Sequence, residues 1–448
     1  MTMKILQVVH SFIPYTKAGT EVYAYSLSKE LARRHEVSVF FRIRNFKKRE
    51  YSVEYNDFQG LKTFAVNQTF NQCRSFRETY DNKHIDKIFA DLLDKVKPDI
   101  VHIHHLLFLS FGIIKEVKKR NIPVVFTLHD YWIFCHKGQL IRDDLTLCAT
   151  PDFQNCKACL RSQLSIKGNS MRYYNFLRKR VPNIILHTVK KSYLGLAGFD
   201  EGDFERMLQE RDAYAKEISG QVDVFVSPSQ FLKEKFIAFG IPREKILYSP
   251  YGIDHDNFKR LEKAKSGVIK FAFIGILLPM KGVDMLIEAF RRIPNKNAEL
   301  LIFGKPYPYA GYEGYCALLK KNAAADSRIK FRGEFDNAKI AEVFAQFDVL
   351  VVPSIWLENA PLVIQEALLA KTPVLASRIG GIPELIEDGK NGLLFNPSDV
   401  NDLRKKLQYL IDNPSKIELL GAYNSQVKDI SENAKEIEEI YSRVRSSS

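Results

Sequence analysis

The chain has no apolar run long enough to cross a bilayer. It has no low-complexity tract and no short internal repeat. Its first residues, Met3 to Val9, read as a strand and are too short an apolar stretch for a signal peptide, so the expectation is a cytoplasmic protein. Acidic residues are the scarcer charge: 53 Asp and Glu stand against 66 Lys and Arg, giving a formal net charge of +13. That excess suits anionic partners such as nucleotides, nucleic acid or an acidic membrane face. Basic clusters occur at 42–49, 115–120 and 172–180, and the third interleaves aromatic and basic residues from Met171 to Arg180, as interfacial membrane segments do. For any single cluster, a solvated surface is the commoner explanation.

What is present is a soluble-enzyme composition, 46% apolar and 27% charged over 448 residues, enough for two domains. Short apolar runs alternate with helix-like stretches. In the first half the runs are Ile5–Val9, Val37–Phe41, Leu61–Val66, Ile100–Ile103, Val124–Leu128 and Val222–Val226. In the second they are Ile269–Ile274, Glu299–Phe303, Ile329–Phe331, Val349–Val352 and Val374–Ala376. Strand–helix alternation of this kind predicts parallel sheets with helices on both faces. Pro250 and Gly252 punctuate the pattern, which places the boundary between two doubly wound, Rossmann-like domains, 1–250 and 251–430, facing across a cleft. The helical tail, about 431–448, is expected to pack back on the first domain. From Cys135 to about Gln221 the rhythm is lost, which reads as an insertion in the first domain.

Polar motifs fall where such sheets bind ligands, at the carboxyl ends of strands. Gly19, before the first helix, would let a phosphate reach the backbone and the free N–H groups of the helix N-terminus. The loop around it lacks the G-x-G-x-x-G spacing of a dinucleotide site. His129 and Asp130 follow a strand, and His129 could donate to a sugar or transfer a proton; capping a strand is the plainer alternative. Lys281 stands where a helix begins, a poor place for a cation on stability grounds and a good one for gripping a diphosphate. Glu358 and Glu366 are eight residues apart, one in a strand-to-helix loop and one about a turn inside the helix, so they can grip two hydroxyl-rich parts of one ligand. Pro361 suits the start of that helix and leaves amides near Asn359 and Leu362 facing a ligand. Gly380 and Gly381 follow another strand and would let the backbone approach a ligand, or form a plain turn.

Four of the six cysteines crowd the insertion: Cys135, Cys148, Cys156 and Cys159. A closing C-x2-C with two cysteines upstream can complete a four-thiolate zinc site, yet the spacing matches no standard zinc module. A structural zinc and free buried thiols are equal alternatives.

Together these pieces resemble the family-4 retaining glycosyltransferases of the GT-B fold, of the bacterial surface-polysaccharide type. The resemblance rests on Gly19-Thr20-Glu21, Pro98 to His102, His129-Asp130, Val226 to Ser229, Tyr251 to Asp254, Lys281-Gly282, Pro353-Ser354, the Glu358–Glu366 pair and Gly380 to Glu384. It implies a nucleotide-sugar donor and a saccharide or lipid-linked saccharide acceptor. Glu366 would hold the donor ribose; Glu358 with the amides of Asn359, Ala360 and Leu362 would hold the transferred sugar. Lys281 and the Gly19 backbone would hold the diphosphate, and His129 would stand at the reacting centre beside Glu358. No cofactor is required for catalysis, since lysine and helix N-termini neutralise the leaving group. Two departures stand out: Ile276 occupies a place where many members carry arginine, and Tyr251 replaces a common asparagine. A peripheral position on the inner membrane face is a further expectation, and nucleic acid is not an expected partner. The alternatives are a same-fold epimerase or phosphorylase, and a non-catalytic basic binding protein with a degenerate cleft.

Overall fold

The computed structural model describes all residues except 1, 74, 164–200, 260, 262–266, 295–296, 308, 310, 424 and 447–448. The aromatic–basic stretch Met171 to Arg180 lies outside the described residues.

Two sheets organise the described chain. The first has the order β3-β4-β2-β1-β5-β6-β7-β8. Its strands are β1 (Lys4–Val9), β2 (Glu36–Ile43), β3 (Val53–Phe58), β4 (Leu61–Asn67), β5 (Ile100–Ile103), β6 (Val124–Thr127), β7 (Val224–Ser227) and β8 (Ile246–Tyr248). All neighbours run parallel except the hairpin β3–β4. The second sheet is wholly parallel, ordered β11-β10-β9-β12-β13-β14. It comprises β9 (Ile269–Ile274), β10 (Ala298–Phe303), β11 (Ile329–Gly333), β12 (Val349–Val352), β13 (Val374–Ser377) and β14 (Gly392–Phe395).

Alternation along each strand sends side chains to two cores per lobe. In β1, Leu6 and Val8 enter one core while Ile5 and Val9 enter the other. In the second lobe, Phe271 and Phe273 of β9 pack opposite Ala272 and Ile274. Each such buried side chain stabilises the fold by about 1.5–3 kcal/mol before entropy is counted. The C-terminal helix Ile430–Ser446 carries its apolar stripe, Ile430, Ala434, Ile437, Tyr441 and Val444, onto the first lobe's core. The Tyr441 hydroxyl meets His102 Nδ1 at 2.6 Å and receives a bond from Gln7 Nε2 at 3.4 Å. The two chain crossings between lobes run side by side, Ile253 N–H donating to Lys428 O (2.9 Å) and Ile430 N–H to Ile253 O (3.0 Å). A Cβ on Gly252 would stand 2.7 Å from the Ile430 Cα, so the second crossing needs glycine there.

Between β6 and β7 lie a long loop, the helix Phe153–Gln163 and the helix Glu201–Gly220. Among the described residues of this insertion the one β contact is a bridge between Ile141 and Leu147. No helix of the described residues is long and apolar enough to cross a membrane.

Candidate donor site between the lobes

The site is built on the two central strands of the second sheet. β9 and β12 are neighbours, so the loops that leave their carboxyl ends touch. After β9 comes one tight turn, Pro279–Lys281, then Gly282 at φ 67° and the helix Val283–Arg291. After β12 comes the loop Pro353 to Pro361, then the helix Leu362–Leu369. Ile355 N–H donates to Met280 O at 2.9 Å. A Cβ at Gly282 would stand 2.0 Å from Pro353 O, so glycine is required by both its left-handed backbone and this approach.

That contact delivers Lys281 Nζ to Glu358 Oε1 at 2.6 Å. Ser354 Oγ donates to the same oxygen, also at 2.6 Å. Glu358 is 5% exposed, and the Lys281 ammonium lies 5.0 Å from the Trp356 ring centre. Glu366 follows on the helix, partly exposed as a residue but with its carboxyl surrounded by protein; burial raises it to about 7. Its proton is thus held more tightly than that of an ordinary carboxyl, and donors that hydrogen-bond to the carboxylate favour its ionised form.

Gly380 and Gly381 admit the glutamate loop at close range. A Cβ on Gly380 would meet Glu358 O at 2.1 Å, and one on Gly381 would meet Asn359 O at 1.9 Å. Gly381 N–H donates to Glu358 O at 2.7 Å. The close approach is to the glutamate loop itself, which these glycines hold from behind.

The first lobe completes the site. Asn359 Nδ2 donates to His129 O at 2.7 Å, and Tyr131 Oη donates to Leu357 O at 3.0 Å. Ala360 and Leu362 pack with the first lobe's core. Gly19 opens the helix Gly19–Leu31, and a Cβ on it would lie 3.8 Å from Leu362 Cδ1. Two helix N-termini, neither capped by a side chain, thus meet across the crevice within the same constellation as Lys281. Such termini carry free N–H donors and partial positive charge.

His129 sits in a relay. Tyr251 Oη bonds its Nδ1 (2.6 Å), its Nε2 meets His104 Nδ1 (3.2 Å), and His104 Nε2 meets Gln7 Oε1 (2.8 Å). An acceptor at Gln7 requires a proton on His104 Nε2, so the sequence of donors runs from Tyr251 through His129 and His104 to Gln7. Burial holds His129 well below the usual histidine range and His104 at about 3, so both rings are neutral. Beside them Asp130 Oδ2 pairs with His105 Nε2 at 2.9 Å. Tyr251, a departure in sequence, is therefore the hydroxyl that fixes His129.

Tyr131 and His104 escaped the sequence reading: each lies close to a motif, yet neither carries a spacing signal of its own. Ser354 belongs to the Pro353-Ser354 motif, but its bond to Glu358 is not legible there. Glu384 accepts from Gln230 N–H (2.8 Å) and Phe231 N–H (2.6 Å), so it caps a first-lobe helix from the second lobe. Ile276 brings no cation to the site. Lys17, from the first lobe, reaches across to Asp336 at 3.6 Å.

The four cysteines of the insertion do line one cavity, with His136, Lys137 and Arg142. All are free thiols, and burial pushes Cys148 and Cys159 up and Cys156 to about 12. Among the described residues no group of three or more His, Cys, Asp or Glu side chains is placed to hold a metal ion. As arranged, the four thiols line the cavity without forming a ligand set for a metal ion.

Residues 254–436 match the model of glycosyl transferases group 1, and residues 18–148 match the model of glycosyltransferase family 4. The chain belongs to the family-4 glycosyltransferases. It is 36% identical over 149 residues to an uncharacterized glycosyltransferase of Methanocaldococcus jannaschii, a match covering 33% of this chain and 40% of that protein. An uncharacterized 42.6 kDa protein in the cps region of Klebsiella pneumoniae is 24% identical over 86% of this chain and 87% of its own length. In structure the chain is similar to Anabaena HepE in complex with UDP-glucose, with a TM-score of 0.66 at 17% identity, covering 98% of this chain and all of that one. The architecture is GT-B: two parallel-sheet α/β lobes facing across a crevice.

Proposed function

We propose that this glycosyltransferase moves a hexose from a nucleoside diphosphate sugar to a saccharide, free or lipid-linked, with retention at the anomeric carbon and without a catalytic divalent metal. The observation that carries the reading is the Lys281–Glu358 pair at 2.6 Å, set beside two uncapped helix N-termini and the neighbouring Glu366. In this reading the diphosphate takes Lys281 and the Gly19 amide. The ribose hydroxyls take Glu366. The sugar hydroxyls take Glu358 and the amides of Asn359, Ala360 and Leu362. UDP-glucose bound to HepE supports a nucleoside diphosphate donor.

In the reaction the bond from the sugar C1 to the diphosphate oxygen breaks. A bond from C1 to the acceptor hydroxyl oxygen forms on the same face, and the hydroxyl proton leaves with the nucleoside diphosphate. The oriented N–H groups and the ammonium stabilise the charge that develops on the leaving oxygen, where preorganised donors act most strongly. His129 would serve beside the sugar, and to do so its ring must release Tyr251 or His104. Polysaccharide or glycolipid assembly, with the basic chain held at an anionic membrane face, accommodates such an acceptor.

The test is incubation with uridine, guanosine, adenosine and thymidine diphosphate sugars, following nucleoside diphosphate release and the first-formed sugar anomer by NMR. Release from at least one α-linked donor with the α anomer first is expected. The β anomer first would overturn retention, and no release from any donor would overturn the donor reading.

A further inference from the structure

The carboxyl ends of β2, β4 and β5 carry a second cluster that the donor chemistry does not use. Arg42, in β2, donates from Nε to Gln68 O at 2.8 Å. Its guanidinium carbon lies 4.8 Å from the centre of the Phe108 ring and 5.2 Å from that of Phe70. The two rings meet edge to face at 5.4 Å. Phe70 and Phe108 both have positive φ, 66° and 64°. Bulky residues stay in that region only where the surroundings over-determine it. For Phe70 the cause is visible: the Glu50 carboxylate accepts from the N–H groups of Thr69 (2.9 Å) and Phe70 (3.1 Å).

Those bonds commit Glu50, the carboxylate that attracts Arg42. Among the described residues Arg42 has no ion-pair partner. Burial lowers it to about 10, so it is a cation at neutral pH. Gln68 is fully buried, and neither its amide nitrogen nor its oxygen has a partner. The rim is open: Phe108 is 38% exposed, Phe46 under the Arg44 guanidinium is 55% exposed, and Tyr307 from the other lobe is 54% exposed.

We propose that this arginine–aromatic cluster is an acceptor subsite for a saccharide bearing one anionic group, a carboxylate or a phosphate. The rings offer an apolar platform to the C–H face of a sugar, and the guanidinium fork matches either anion with two parallel hydrogen bonds. Arg44, Lys47, Lys48 and Arg49 follow Arg42 in the chain, a number of basic residues that suits an anionic membrane surface. Arg42 itself is held between two rings and bonded to Gln68 O, the geometry of a site for one small anion, and the vesicle arm of the test separates the two. The assignment rests on the glycosyltransferase reading above.

The test uses the full chain and two matched pairs of probes: galacturonate against its methyl ester, and galactose 6-phosphate against galactose. Binding is read by titration calorimetry or saturation-transfer NMR. In the wild type the charged member of at least one pair is expected to bind about tenfold more tightly, the lower end of what one hydrogen bond to a charged group contributes. Which pair shows the preference identifies the anion. Arg42→Gln should abolish that preference, and Phe108→Ala should weaken charged and neutral members alike. Arg42→Lys, which keeps the charge and guards against misfolding in the glutamine variant, should lose most of the preference because it lacks the fork. All variants should keep the wild-type thermal shift with UDP; loss of that shift in the wild type would instead indict the donor reading. Equal binding within both pairs, or a preference that survives Arg42→Gln, overturns the proposal. So does binding to phosphatidylglycerol vesicles over phosphatidylcholine vesicles that Arg42→Gln abolishes, which would assign the cluster to a membrane.

Discussion

Replacing Glu366 by glutamine should set stability against ligand binding. Burial lifts this carboxyl from 4.5 to about 7. Between those values the unfolded chain has lost a proton that the folded chain keeps, so folding stability falls as pH rises through that window and is level above it. The shift corresponds to an upper limit of about 3 kcal/mol at pH 8. Glu366→Gln removes the titration. The variant should therefore be more stable than wild type at pH 8 by up to that amount, and show no such gain near pH 4. Binding should go the other way. Ribose hydroxyls donate to the ionised carboxylate, and charge-assisted bonds are roughly twice as strong as neutral ones. If the site needs the ionised form, UDP affinity falls by about tenfold for each pH unit below 7, reaching about a hundredfold at pH 5. Thermal melts and UDP titrations from pH 5 to 8 measure both effects, with the glutamine variant subtracting the titration of the phosphates themselves. Parallel pH curves for the two proteins, in either assay, would refute the reasoning.

Other expected outcomes are more local. Lys281→Ala leaves Glu358 buried and unpaired, which should cost about 3 kcal/mol in thermal unfolding and abolish nucleoside diphosphate release from donor sugars. Gly381→Ala drives a methyl into Asn359 O, so it should destabilise by about 1–3 kcal/mol and weaken donor binding through the displaced glutamate loop, read by melts and UDP titration. Tyr251→Phe removes the hydroxyl bonded to His129 Nδ1, with an expected loss of about 1 kcal/mol in stability and a change in the His129 imidazole signals by NMR. Cys148, Cys156 and Cys159, raised by burial, should react with iodoacetamide at pH 8 far more slowly in the folded chain than in denaturant, and this protection should be indifferent to EDTA.

The sheets were legible where burial on both faces leaves a nearly continuous apolar run. Ile100–Ile103, Ile269–Ile274 and Val349–Val352 appear in the structure with the bounds read from the sequence. β3 was not legible, because as an outer strand it exposes Tyr55, Asn56 and Asp57, and its sequence carries no apolar run. β8 is three residues long, and β14 opens on a glycine. Within the site, residue type and strand-end position picked out Lys281 and Glu358 separately. Their ion pair was hidden because it depends on β9 lying beside β12, 77 residues away in the chain. The diglycine after β13, read as a ligand approach or a plain turn, closely admits the glutamate loop, a contact hidden in the sequence because composition cannot say which backbone a glycine admits. The four cysteines meet around one cavity, but spacing alone does not set thiols at ligating distances.

The most direct measurement is the structure of this chain crystallised with UDP. The account predicts the ribose hydroxyls within hydrogen-bonding distance of Glu366 and the diphosphate against Lys281 and the amide of Gly19, between the two lobes. A nucleotide bound elsewhere, or one in the crevice with Glu366 and Lys281 both turned away from it, would contradict the account.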